Sequence, residues 1–580
     1  VRDRWITDWT PSERWPHYTR ANAGEVVPYP ASPLSVTYTW DGGICQGWRE
    51  GYIRSGNYAA DEWDREHPET VGFFGGFMYI NLSNVRMQGV RSPAVTVEQL
   101  DVAFFGDHPD VPPYVPHPLD DRPDLVPGIL KHLEWMMTTT SWPEIDEEKA
   151  QTTALRAERP DLTALSDRDL VARARSIQKM IEQLFLSHTI SSSGSGVAPG
   201  ILAAVGAAIG DPTVPMKLLA GLGEVDSAEP SYALWELSRQ VKGSAELTAA
   251  FDQGLEGILT RLGQSGSSDA TAFLAAFESF LFSFGTRGPN EYEISAETWE
   301  TDPAMPLAIL DRVRLQSDGE SPQSRHDHLV SERLRVTDEV RAKVQALGND
   351  ELTGQFEAAL VAAHQVAFRE RTKTNLIRAI HEARMIFREL GRRHASEGHL
   401  RRADQIFQLL DRELDDFVAE PSRFTDELAA RQLEWRELFD LEPPFIIRDG
   451  VVPPLTQWAR KGDGTSTMAG PGDVIQGVPG CPGVIRGRAR VILDIQDPAD
   501  LEPGEILVAP LTDPGWAPLF MSAGAVVVDV GGQISHAVIV SRELGLPCVV
   551  SATNATSTIP DGALIEVDGD NGRVTVLELP

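Results

Sequence analysis

One stretch constrains the fold more than any other: AVVVDVGGQISHAVIVSRELGLPCVVS, from Ala525 to Ser551. The run Ala525 to Val530 reads as a buried strand. Gly531 and Gly532 break it and let the backbone turn tightly. Ser535 is placed to cap a helix whose first residue is His536. Ala537, Ile539, Val540 and Leu544 follow on that helix, and Gly545 with Pro547 ends it. Cys548 to Val550 is a second strand.

The position of His536 carries chemistry. The first amides of a helix lack intrahelical partners and carry partial positive charge, so they favour an anion, phosphate above all. An imidazole there is a nucleophile near neutral pH. If it took a phosphoryl group, those amides would already face the oxygens, and Gly531 and Gly532 would leave room for a bulky donor. By geometry alone an inert, exposed helix-start histidine is equally open.

The segment GGQISHAVIVSRELGLPCVV resembles the phosphohistidine signature of the phosphoenolpyruvate-utilising enzyme family: two glycines, two residues, Ser or Thr, then His. The match continues through Arg542, Glu543, Gly545 and Pro547. PGCPGVIRGRARVILD, LEPGEILVAPLTDPGWAPLF and DGALIEVDGDNGRV resemble the rest of that family's mobile domain. The resemblance implies that His536 is phosphorylated, with Gly531, Gly532 and Ser535 stabilising the phosphate.

The chain has 580 residues, 42% hydrophobic and 24% charged, enough for several well-packed domains. Its net charge of -33 argues against nucleic acid or an anionic membrane as partner. Cys45, Cys481 and Cys548 are widely spaced, with neither a disulfide framework nor a metal-ligand pattern. A reducing cytoplasm fits this usage. No continuous apolar run reaches the ~18 residues of a membrane span.

The expected architecture is multidomain α+β. Residues 1–120 form an irregular part rich in aromatics and proline; Thr19 to Leu34 has too many breakers for a helix, and Phe77 to Leu82 reads as a strand. Residues 121–440 are helical, residues 441–473 are a flexible linker, and residues 474–580 are a small β/β/α domain that swivels. TRANAGEVVPYPASPLS and GGFMYINLSNVR resemble the acceptor portion of rifampicin phosphotransferase-like proteins, as does the helical FRERTKTNLIRAIHEARMIFRELGRRHASEGHL.

Within the helical region, Ile177, Ile181, Leu184 and His188 share one stripe. His188 is either a satisfied core histidine or a pocket residue able to orient a hydroxyl. SSSGSGVAPG, Ser191 to Gly200, interrupts that helix. In FLFSFGTRGPNEYE, Thr286 stands where relatives carry histidine, while Arg287, Gly288 and Glu291 fit their pattern. Arg287 either binds a phosphoryl group or pairs with Glu291. Arg384 faces an apolar stripe and must be paired, with a carboxylate such as Glu291 or with substrate. His381, His394 and His399 read as surface or helix-end residues.

Enzymes with this histidine domain take phosphate from ATP on an ATP-grasp domain, or from phosphoenolpyruvate on a barrel. Neither is expected within these residues. The resemblance therefore extends to phenylphosphate synthase-like dikinases, and implies a separate ATP-grasp-type subunit holding ATP and Mg²⁺. It implies transfer through His536 to the hydroxyl of a small aromatic acceptor, a phenol or hydroxyaryl ketone. His188, Arg287, Glu291 and Arg384 are the candidate acceptor-site residues. A split rifamycin-type antibiotic phosphotransferase and a non-catalytic phosphocarrier stay open.

Overall fold

The computed structural model describes residues 3–63, 69–93, 95–105, 111–223, 225–461, 468–493, 501–512, 514–532 and 535–580. The chain divides into two compact units. Unit 1 comprises Val1–Gly194, Tyr292–Ser295 and Arg371–Thr465, and unit 2 comprises Ser195–Glu291, Ala296–Glu370 and Ser466–Pro580. The helical region expected to be one domain is therefore shared between them.

In unit 1, part of that region packs on the N-terminal part. The helix Cys45–Arg54 lies against the long helix Asp167–Gly194. Gly43, Gly47 and Gly51 recur every four residues on the contact side. A Cβ on Gly47 would come within 2.1 Å of the Glu182 carbonyl oxygen, so only glycine permits this approach. Tyr38 Oη donates to the Ala174 carbonyl (2.5 Å), and Gln178 Nε2 donates to the Tyr38 carbonyl (3.0 Å). The aromatic N-terminal part is thus core, with Trp15, Trp40 and Tyr38 essentially sealed.

A four-stranded sheet in unit 1 runs Val71–Phe74, Phe77–Asn81, Tyr18–Thr19, Ile446–Ile447. The strand at Phe77 is as expected. Its hairpin turns at Gly75 and Gly76, both at positive φ (59° and 77°), which a two-residue turn of this twist demands. The segment expected to be too broken for helix does form a short one, Ala21–Val26. The linker expectation over 441–473 changes too. Leu441–Glu442 pairs with Ala459–Arg460, Ile446–Ile447 pairs with Tyr18–Thr19, and Leu455 and Trp458 are buried. Residues 441–461 are built into unit 1, and 462–467 lie outside the described residues. The carbonyls of Pro444 and Pro453 accept from Tyr79 Oη and Trp458 Nε1, each at 3.0 Å.

The expected helix break at Ser191 to Gly200 is narrower than the sequence suggests. The helix runs to Gly194 and the next starts at Val197. Taken together, 167–209 is long and apolar enough to cross a membrane by length and composition, which counting continuous apolar runs overlooked.

Unit 2 carries an eight-stranded mixed sheet. Its order is Val474–Gln476, Arg573–Glu578, Leu564–Asp568, Val484–Val491, Ile506–Ala509, Ala525–Val528, Cys548–Val550, Val478–Cys481. Val484–Val491, Ile506–Ala509, Ala525–Val528 and Cys548–Val550 are mutually parallel, and the flanking pairs are antiparallel. Side chains alternate along the parallel strands. Ile506, Val508, Ala525, Val527 and Val549 fill the core on one face. Leu507, Ala509, Val526, Val528 and Val550 enter a second core, shared with the helices of residues 234–313. Strands buried on both faces read as continuous apolar runs, as these do.

Candidate functional site

The strand Ala525–Val528 ends two residues before the expected Val530, the chain turns through Gly531 and Gly532, and the helix His536–Leu544 begins at the histidine, as expected. Gly545, at φ 68°, closes it. His536 therefore sits beyond the carboxyl end of a parallel strand, where open α/β sheets collect their ligands. Gly531 allows a close approach: a Cβ there would meet Ser535 Oγ at 3.1 Å, a tight contact. Its carbonyl accepts a bond from Ser551 Oγ at 2.6 Å.

Two expectations about this turn are corrected. Ser535 occupies the cap position, but its side chain caps nothing. Its hydroxyl is buried (3% exposed) with no hydrogen-bond partner among the described residues. His536 is not an open helix-start residue either; it is only 5% exposed. Thr512 Oγ1 lies 3.3 Å from its Nδ1, and the Phe520 ring lies 6.0 Å away, centroid to centroid. Thr512 follows the neighbouring parallel strand Ile506–Ala509, so both groups come from the same edge of the sheet. The sequence offered no period or spacing that would single out Thr512. A Thr512 oxygen accepting from Nδ1–H would leave the Nε2 lone pair as the nucleophile.

The segment after Thr512 is seated on the helical part of the same unit. A Cβ on Gly515 would lie 2.6 Å from the Gly288 carbonyl carbon and 2.9 Å from the Pro289 nitrogen. Gln316 Nε2 donates to the Met521 carbonyl (2.8 Å). The loop bearing Arg287 and Glu291 thus abuts the segment that follows the histidine's own partner. Arg287 and Glu291 are both buried, with Nη1 3.3 Å from Oε2. The ion pair exists, but it is longer than a tight charge-assisted bond. Thr286 is buried beside them.

The helix of His536 is also held at its far end. Glu543 accepts from the Leu222 N–H (3.0 Å) and the Gly223 N–H (3.4 Å), and His326 Nδ1 lies 3.3 Å from its carboxylate. This contact raises the His326 pKa above its ordinary value. Arg542 Nε donates to the Gly480 carbonyl (3.0 Å), a structural role. Asp529 accepts from the N–H and hydroxyl of Thr556, and burial pushes its pKa up to about 6. A magnesium-bound nucleotide would need carboxylates directed at the histidine. Asp529 and Glu543 are committed elsewhere, so this strand–helix segment does not fit that ion.

The other two candidates lie in unit 1, so the four expected acceptor residues are not gathered within one unit. His188 is buried; its Nδ1 is 3.1 Å from Thr372 Oγ1, which also meets Ser191 Oγ at 2.9 Å. It is a satisfied histidine among hydroxyls. Arg384 is fully buried, with Nη2 donating to the Glu293 carbonyl (2.9 Å) and Nη1 3.2 Å from His381 Nδ1. A backbone carbonyl and an imidazole are thus among its partners. His381 is buried within its helix, contrary to its reading as a surface or helix-end group; His394 lies in the last turn as read, but is buried. Nearby, Ser187 Oγ donates to Glu148 (2.5 Å), whose pKa burial raises to about 7.

Two family models match parts of the chain. Residues 188–370 match the family described as rifampicin phosphotransferase fourth domain, and residues 501–572 match the PEP-utilising enzyme mobile domain. An uncharacterised protein of Mycobacterium tuberculosis is 33% identical over 311 residues, covering 54% of this chain and 32% of that protein. The rifampicin phosphotransferase of Streptomyces sviceus is 32% identical over 308 residues, covering 52% of this chain and 34% of the relative. A prodigiosin-synthesising transferase of Serratia marcescens is 30% identical over 371 residues, covering 62% and 40%. The aligned regions thus span about a third of the length of the first of these relatives.

Proposed function

We propose that this chain, a member of the phosphoenolpyruvate-utilising enzyme family by its mobile domain, is the phosphohistidine and acceptor component of an ATP-dependent dikinase. His536 Nε2 attacks the phosphorus of the donor, and the P–O bond to the leaving group breaks. An acceptor hydroxyl then attacks the same phosphorus, the N–P bond breaks, and the hydroxyl proton leaves to a base. Each step needs in-line positioning and neutralised charge. The amides at the start of the helix His536–Leu544 and the partnerless Ser535 hydroxyl would supply donors for the phosphoryl oxygens. Arg287 would supply charge on the acceptor side.

The observation that carries this reading is the seating of Gly515 on Gly288. It brings the sheet edge that holds His536 against the loop that holds Arg287. Because Thr512 and Phe520 cover the ring, the reading requires the histidine to be uncovered when it is charged. ATP and Mg²⁺ are placed on a separate ATP-grasp-type partner, and the acceptor is a small aromatic hydroxyl compound. A rifamycin-type antibiotic is the second reading, favoured by the match over residues 188–370.

The test is to incubate the chain with ATP, Mg²⁺ and the candidate partner, together with phenols, hydroxyaryl ketones and a rifamycin. AMP and the phosphorylated product are followed. The expected result is AMP formation with one phosphorylated acceptor class, abolished in His536→Ala. Product formation by His536→Ala would end the proposal.

A further inference from the structure

At the end of the helix His364–Ser396, in unit 1, the sequence reads HASEGH, His394 to His399. Gly398, at φ 80°, turns the chain back sharply. The N–H groups of His399 (2.9 Å) and Leu400 (3.1 Å) both donate to the His394 carbonyl. This local turn sets the two imidazoles side by side. Thr425 Oγ1 donates to the His399 carbonyl (2.6 Å) and holds the return segment.

Three ligand-type atoms then form a small triangle. His394 Nδ1 is 3.0 Å from His399 Nδ1. Glu397 Oε2 is 3.3 Å from His399 Nδ1 and 3.7 Å from His394 Nδ1. Ligands about 2.0–2.1 Å from a tetrahedral zinc stand roughly 3.3 Å apart, the middle of these three separations. No other trio of histidine, cysteine or carboxylate ligands comes this close among the described residues.

The surroundings match as well. His394 Nε2 lies 3.1 Å from Asp167 Oδ2, though not aimed squarely at it. A carboxylate on the far nitrogen of a ligating histidine sets its tautomer and leaves Nδ1 for the metal. Asp167 is itself fixed by Arg393 Nη1 at 2.7 Å. The Phe417 ring stands edge-on to His394, 4.7 Å between centroids, and fixes the imidazole plane. A helix carboxyl end also favours a cation.

We propose that His394 Nδ1, His399 Nδ1 and the Glu397 carboxylate bind one divalent transition-metal ion of the zinc class, with water in the fourth position. The ion would fasten the end of the helix His364–Ser396 to the start of the helix Asp167–Gly194 through Asp167. It is independent of the phosphohistidine chemistry.

The full chain, stripped with EDTA and dialysed, is titrated with Zn²⁺ by equilibrium dialysis and with Co²⁺ by visible spectroscopy. One equivalent should bind, with the intense Co²⁺ bands of four-coordination, and should raise the melting temperature. Half-exposed His399 and exposed Glu397 can be changed without touching the core. His399→Ala and Glu397→Gln should each weaken binding at least tenfold while leaving the metal-free melting temperature unchanged. Asp167→Asn should weaken it about 10–100-fold. No saturable binding, a weak six-coordinate Co²⁺ spectrum, or unchanged affinity in His399→Ala would overturn the proposal and leave the two imidazoles sharing a proton.

Discussion

Gly515→Ala tests the seating of the histidine edge on the acceptor-side loop. Gly515 does not need a left-handed backbone, so alanine is acceptable locally. The added Cβ would meet the Gly288 carbonyl carbon at 2.6 Å, its oxygen at 2.8 Å and the Pro289 nitrogen at 2.9 Å. All three are backbone atoms and cannot swing aside like a flexible side chain. Overpacking of this kind costs about 1–3 kcal/mol. Separating the two surfaces relieves it without unfolding either, so the cost should fall on the seated state. At 1.36 kcal/mol per tenfold, transfer to the acceptor should drop about 5- to 150-fold. Charging of His536 by the partner should keep its rate. The assay is radiolabel on His536 against product formed, in single turnover. Equal loss in both steps would mean damage to the fold. Full transfer activity in Gly515→Ala would refute the claim that this contact is used.

Other perturbations test separate links. Thr512→Val removes the oxygen at His536 Nδ1 and should slow charging about 2- to 10-fold, the worth of one hydrogen bond, with His536 still labelled. Asp529 has its pKa raised by burial, so its charged form is disfavoured in the fold: stability should fall as pH rises from the ordinary 3.8 through about 6, then level off. Asp529→Asn should flatten that segment of the melting-temperature profile. For His326 the sign is opposite: its raised pKa means the contact with Glu543 stabilises fully below pH 6.5 and is lost as pH climbs through the folded value. Glu543→Gln should remove that dependence above pH 6.5, read by thermal melts. Arg384→Ala leaves a buried hole and orphans the Glu293 carbonyl, and should cost about 2–5 kcal/mol in denaturant unfolding.

The strand, glycine turn and helix around His536 were legible because their signals are local. An apolar run, two adjacent glycines, and a glycine after the last helical turn each act over a few residues. The small C-terminal sheet domain and the start of the helix at Asp167 were readable for the same reason. Ser166 Oγ does cap that helix, accepting from the Asp169 N–H at 3.2 Å.

Periodicity shows that a side chain faces inward, but not what waits there. Arg384 was seen to be buried, but nothing in its stripe points to the Glu293 carbonyl or to His381, which are among its partners. His394 was read as a helix-end group because nothing near it in sequence predicts Asp167, 227 positions earlier, or the Phe417 ring. Thr512 and Phe520, the groups covering His536, come from a neighbouring strand and its following turn. The contact of the helix at Asp167 with the N-terminal part depends on glycines at 43, 47 and 51 admitting a second helix. Short-range patterns specify elements, because backbone geometry and turn chemistry act between near neighbours. The company each buried polar group keeps is chosen by long-range packing, which a single sequence does not spell out.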